Sequence, residues 1–169
     1  MGNFLSFPIL IVAALLQATF MPQIRLLGGS PDLVYLIVLA WSINVELDSS
    51  VIWAFVGGIS LDLMSYAPLG TSTFGIVITV FIISGIGQQV YRIGFVLLIG
   101  SVLIGTFFQQ LSIMIILTIT GYSVDWGLSL GYVVAPTIFY NLVFILPLYW
   151  IIRRIQRRVV PEVSSKPTR

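Results

Sequence analysis

Two aspartates stand inside apolar stretches of this chain. Asp32 lies in "GGSPDLVYLIVLAW" and Asp62 in "VIWAFVGGISLDLMSYAPLGTSTF". A carboxylate at membrane depth costs about 2.5–3.5 kcal/mol on insertion scales, so each needs donors, a cation or a task. A carboxylate pair could act as general acid and base. If the helices bearing them run antiparallel, the start of one and the end of the other reach the same face, and a pair is geometrically allowed. Nothing else in the sequence assists such a pair. There is no histidine and no cysteine, which removes thiolate nucleophiles, disulfides and the commonest metal ligands. No H-E-x-x-H or D-x-x-D occurs. Of the other acids, Glu46 and Asp48 read as a surface turn, Asp125 as interfacial and Glu162 as tail. The expectation is a protein that is not an enzyme, with no catalytic residue, metal or cofactor.

Each polar residue also has a structural reading. Ala54, Gly58 and Asp62 are spaced i, i+4, i+8 and share a helix face, with Ala54 and Gly58 small enough for a close neighbour. Asp62 then either caps backbone N–H groups in "SYAPLGTS" or serves a ligand, proton or partner. In that segment Pro68 presets a turn, Gly70 permits positive φ, and Thr71 or Ser72 can cap the next helix. Asp32 fits the first turn of a helix with Ser30 as N-cap and Pro31 at the first helical position. Thr106, Gln109 and Gln110 suit interhelical hydrogen bonds, and Asn141 can support a kink at Pro147. Three small-residue faces suit close helix contact: Ala54/Gly58, Ser101/Gly105 and Gly127/Gly131. Ser101/Gly105 is the one expected to receive a partner helix, being near the middle of a long span.

The elements that must position these residues are helices in a membrane. The chain is 58% hydrophobic and 8% charged, with mean hydropathy +1.07, against about 25% charged in soluble domains. The apolar runs are continuous rather than alternating, which argues against a β-barrel. Helices are expected over about 4–21, 31–45, 51–64, 72–90, 93–120 and 128–154, broken by Pro/Gly or polar turns. The first reads as a membrane helix, not a cleaved leader. The second and third are short, and either cross a thin region or form a re-entrant hairpin; six spans or four leave both termini on one side. Six of the eight basic residues lie beyond residue 150, so the positive-inside rule makes that side cytoplasmic. Trp41, Trp53, Tyr91 and Trp150 then flank the cytoplasmic interface and Trp126 the outer one. Arg153, Arg154, Arg157 and Arg158 form a lipid and cytoplasmic anchor. Residues 1–158 read as one polytopic domain, and 159–169 as a short disordered tail.

The "GGSPDLVYLIVLAW" and "VIWAFVGGISLDLMSYAPLGTSTF" blocks, with the closing "IFYNLVFILPLYWIIRR", resemble the MreD family of bacterial rod shape-determining membrane proteins. The Pro31-Asp32-Leu33 triplet and the Gly57-Gly58…Asp62…Pro68–Ser72 block carry most of the likeness. The resemblance implies an all-α bundle of about six transmembrane helices, similar to the substrate-binding subunits of energy-coupling-factor transporters. It implies an inner-membrane scaffold of the elongation machinery that maintains rod shape. The implied partners are a bitopic MreC-like protein, then RodA and a class B penicillin-binding protein, with MreB indirectly. Anionic lipids and a second copy of the chain are further candidates, and nucleic acid is not. The alternative is a substrate-binding subunit of a vitamin-type transporter. Partner or ligand candidates are Asp32, Asp62, Pro68, Gly70, Thr71, Ser101, Gly105 and Asn141.

Reporter fusions after Lys166 and in loop 123–126 should report opposite sides of the membrane, with the Lys166 fusion cytoplasmic. A C-terminus found outside overturns the orientation.

Overall fold

A computed structural model describes residues 6–25, 28–43, 45–65, 67–87 and 94–159. Among them the regular structure is helical: α1 Ser6–Thr19, α2 Leu33–Ser42, α3 Leu47–Leu63, α4 Thr71–Gly87, α5 Gly94–Ile119, α6 Trp126–Ser129 and α7 Ala135–Val159. A short 3-10 turn, Met21–Ile24, follows α1, with Pro22 in its first turn. A π turn, Leu130–Val134, joins α6 to α7, the Ala135 N–H bonding Leu130 O five residues back. Two stretches are long and apolar enough to cross a membrane, Leu98–Ile119 and Trp126–Gln156. Helices α1, α2 and α4 are apolar but shorter. Arg92 and residues 160–169, including most of the expected tail, lie outside the described residues.

α2 is the hub. Its ten residues rise only about 15 Å, half a hydrocarbon core. Nine of them, Val34 to Ser42, are buried. An apolar helix buried all round belongs inside a bundle rather than on its surface. α7 and α3 pack closely on it, with α1, α4 and α5 also in contact. The outward residues are the apolar ones a lipid-facing surface needs, such as Phe7, Ile11, Phe55, Phe81, Phe107 and Phe139.

Residues 28–32 lead into α2 as non-helical chain lying against the start of α7. The Gly28 N–H donates to Tyr132 O at 2.8 Å, inside the π turn. A Cβ on Gly29 would meet Pro136 Cβ and Thr137 N at 2.7 Å, so only glycine permits this approach.

Several sequence expectations are corrected here. α2 begins at Leu33 with Asp32 as N-cap, not at Pro31 after Ser30, because the Asp32 side chain accepts from Tyr35 N. α2 ends at Ser42 rather than Val45. The polar "ELDSS" is not a turn but the entry to α3: Glu46 is the N-cap and Asp48 lies in the first turn, where the helix dipole favours an acid. Ser50 turns its hydroxyl back to Glu46 O at 3.0 Å. Trp41 and Trp53 are not interfacial. They stack in the core, with ring centroids 3.9 Å apart and planes 13° apart, and both are at most 1% exposed. Gln156 donates to Trp41 O at 3.0 Å, tying the end of α7 to the end of α2. Trp126 and Trp150 do face outward, and Tyr91 lies outside the described residues.

Close packing of α3 on α4 depends on Gly58, where a Cβ would fall 2.4 Å from Thr73 Cα and 2.8 Å from its hydroxyl. Backbone cannot yield as a flexible side chain does. Gly58→Ala should therefore destabilise the protein in detergent by about 1–3 kcal/mol, read as a lowered melting temperature. At Gly85, where no described residue lies within 4 Å, alanine should leave the melting temperature unchanged or raise it slightly.

Candidate functional site: two buried aspartates

Asp32 sits where α1, α2, α5 and α7 converge. Gln17 Nε2 of α1 donates to Asp32 Oδ1 at 2.9 Å. Gln109 Nε2 of α5 donates to Oδ2 at 2.8 Å. Tyr35 N donates to Oδ1 at 3.2 Å. The Asp32 N–H in turn donates to Asn141 Oδ1 of α7 at 2.9 Å, and Asn141 Nδ2 donates to Thr106 Oγ1 at 3.0 Å. Gln17 Oε1 accepts from Val34 N at 2.9 Å. At the start of α2 the orphan N–H groups of Val34 and Tyr35 are thus answered by side chains of α1 and of the helix's own N-cap. Gln17 and Asn141 each accept from a backbone N–H, which fixes which way their amides face. Gln109 has no such anchor, and its Oε1 is buried without a partner.

Asp62 works differently. It ends α3 but caps α4 from outside that helix. Its Oδ2 accepts from Gly70 N at 2.8 Å, Thr73 N at 3.2 Å and Thr73 Oγ1 at 2.7 Å. Its Oδ1 accepts from Ser72 N at 2.8 Å. This is an anion at a helix N-terminus, supplied with donors and dipole together. Gly70 takes φ +98°, the left-handed region the turn requires. Pro68 O accepts the Thr71 N–H at 3.2 Å and its hydroxyl at 2.7 Å. Neither Thr71 nor Ser72 caps α4 with its own side chain, because the Asp62 carboxylate has taken the backbone donors there.

The two carboxylates do not pair, since each bonds its own set of donors. Asn141 supports the Asp32 N–H rather than a kink at Pro147. Ser101 is buried at 6% exposure, and a Cβ on Gly105 would overlap the Tyr35 hydroxyl at 2.1 Å and Thr79 Cγ2 at 2.7 Å. That face is internal packing between α5, α2 and α4, not a surface for a partner. Ala54/Gly58 is likewise internal. Gly127/Gly131 is open among the described residues, none of which lies within 4 Å of a Cβ on Gly131. Arg153 and Arg154 are exposed; the side chains of Arg157 and Arg158 lie outside the described residues. Among the described residues no group of three or more His, Cys, Asp or Glu could hold a metal ion. Gln17 is the member of the network that sequence reasoning passed over. Its signal was available, as a polar amide in an otherwise apolar α1.

The two sites respond differently to the same substitution. In Asp32→Asn the new Nδ2 can replace Oδ2 opposite Gln109, whose amide turns so that its idle Oε1 accepts. In Asp62→Asn the backbone N–H groups of Gly70, Ser72 and Thr73 cannot turn, and at least one faces an NH2 group. Asp32→Asn should cost under about 1 kcal/mol and Asp62→Asn about 1–3 kcal/mol, with Asp62→Leu worse still. Melting curves in detergent check the order; equal losses at the two sites would refute this account of the donors.

No curated protein and no solved structure matches the chain. A family model described as rod shape-determining protein MreD matches residues 1–159, which include both aspartates, the Pro68–Ser72 corner and the arginines that close α7. The chain belongs to the MreD family of rod shape-determining membrane proteins.

Proposed function

We propose that this chain is a multi-pass scaffold of the bacterial cytoplasmic membrane. It binds a bitopic MreC-like partner and helps couple MreB filaments to peptidoglycan synthesis by RodA and a class B penicillin-binding protein. Both termini are cytoplasmic in this reading. The family match over residues 1–159 carries the proposal. The chemistry inside the bundle supports it: Asp32, Asp62, Asn141 and Thr106 bond to backbone or to side chains of neighbouring helices, and α2 fills the centre. Interactions with other molecules then fall to the outward faces.

Lipid tails supply no hydrophobic drive between helices, so docking of a transmembrane partner favours faces with small residues. Of the three such faces, Gly127/Gly131 is the one on which no described residue of another helix packs, since among the described residues Gly127 meets only Asp125 Oδ1 at 3.6 Å and Gly131 meets nothing. It is flanked by outward Trp126, Leu128, Leu130 and Tyr132. A homodimer through this face is the competing use of it.

Gly131→Leu should weaken co-purification of the MreC-like partner, by an amount corresponding to about 1–3 kcal/mol, at an unchanged melting temperature. Gly105→Leu should lose partner and fold together. If Gly131→Leu leaves association intact, docking uses another face. Affinity purification from native membranes tests the scaffold itself. Recovery of a small molecule without elongation proteins would favour the transporter-subunit reading.

A further inference from the structure

The two arginines that begin the basic end of α7 fold back over aromatic rings. Arg153 Cζ lies 5.9 Å from the Tyr149 ring centroid and Arg154 Cζ lies 5.4 Å from that of Trp150. Each ring is four residues earlier, the direction in which helical side chains lean. The guanidinium groups therefore sit nearly one turn nearer the apolar length of the helix. An arginine at a membrane boundary ordinarily carries its head outward to water. Neither guanidinium forms an ion pair among the described residues.

Beside this stack is a shallow, open groove on the surface of α7 itself, lined by Trp150, Ile151, Arg154 and Ile155. Trp150 is 64% exposed. The groove continues an outward apolar stripe of Phe139, Val143 and Leu146, spaced four, three and four residues up to Trp150, so that all lie on one side of α7. A flat cation thus stands at the head of an apolar track.

We propose that this end of α7 holds an anionic phospholipid. The headgroup phosphate accepts hydrogen bonds from the Arg154 guanidinium, with Arg153 adding charge, and an acyl chain lies along the stripe below Trp150. Guanidinium is suited to this because its donor fork matches phosphate oxygens while its face stays on the ring. A soluble phosphate gains nothing from the apolar groove and would leave water to reach it. A zwitterionic lipid brings its own cation against a segment that continues into Arg157 and Arg158.

The chain's own tryptophans test this. Trp41 and Trp53 are shielded in the core, and Trp126→Phe leaves Trp150 as the exposed reporter. The variant is placed in vesicles of phosphatidylcholine and phosphatidylglycerol, with brominated chains first on one lipid and then on the other. Brominated phosphatidylglycerol should quench Trp150 as though enriched about threefold or more over its bulk fraction. Arg154→Gln should return the ratio to near one, while unquenched emission from the buried pair shows that the fold is kept. Enrichment that survives about 0.5 M salt supports a site rather than a diffuse ion atmosphere. Equal quenching by the two lipids overturns the proposal. So does a preference that persists in Arg154→Gln, that vanishes in salt, or that millimolar inorganic phosphate abolishes.

Discussion

Backbone that leaves the helical path inside an apolar bundle has no water to bond, so protein groups must answer each N–H and C=O. Residues 28–32 are such a stretch, and the arrangement around Asp32 answers part of it. Gly28 gives its N–H to the π turn before α7, and Asp32 gives its own to Asn141. The Asp32 carboxylate collects Gln17 and Gln109, and Gln17 returns an acceptor to Val34. Three helices thereby each commit an amide side chain to the start of α2. The depth of α2 follows, and with it the stack of Trp41 on Trp53 and the contact of Gln156 with Trp41 O.

Asp62 solves a related problem at the other end of α3. Four donors surround one carboxylate, three of them backbone N–H groups around the start of α4. The interaction joins α3 to α4 more firmly than the turn between them could. Gly58 then lets the two helices close on Thr73. Both acids are points at which the bundle is fastened.

The polar groups gathered around Asp32 and Asp62 bond within the bundle. The outward faces of this protein are uneven. One carries glycines that no neighbour covers, near α6, and one carries stacked arginines at the end of α7. For a member of a shape-determining family, contacts with membrane neighbours are the natural use of such faces.

Much of this was legible in the chain itself. The long apolar runs became α5 and the α6–α7 rod nearly as expected, since length and hydropathy are local properties. The corner at Gly70 was legible too, because positive φ selects glycine and a nearby acid suits a helix N-terminus. The start of α2 was not. Ser30-Pro31 obeys the local rule for a helix start, but Asn141, 109 residues away, takes the Asp32 N–H and holds the chain non-helical for two residues more. Nor could sequence distinguish Gly105, pressed against Tyr35, from Gly131, whose added Cβ would meet no described residue, since both sit in small-residue patterns of the same spacing. Composition and periodicity determined that the chain is a helical membrane protein, and its motifs indicated which family. Which tryptophans are core, which glycines are contacts and which donors hold each aspartate were decided by tertiary structure, because each depends on a partner whose distance along the chain no local pattern encodes.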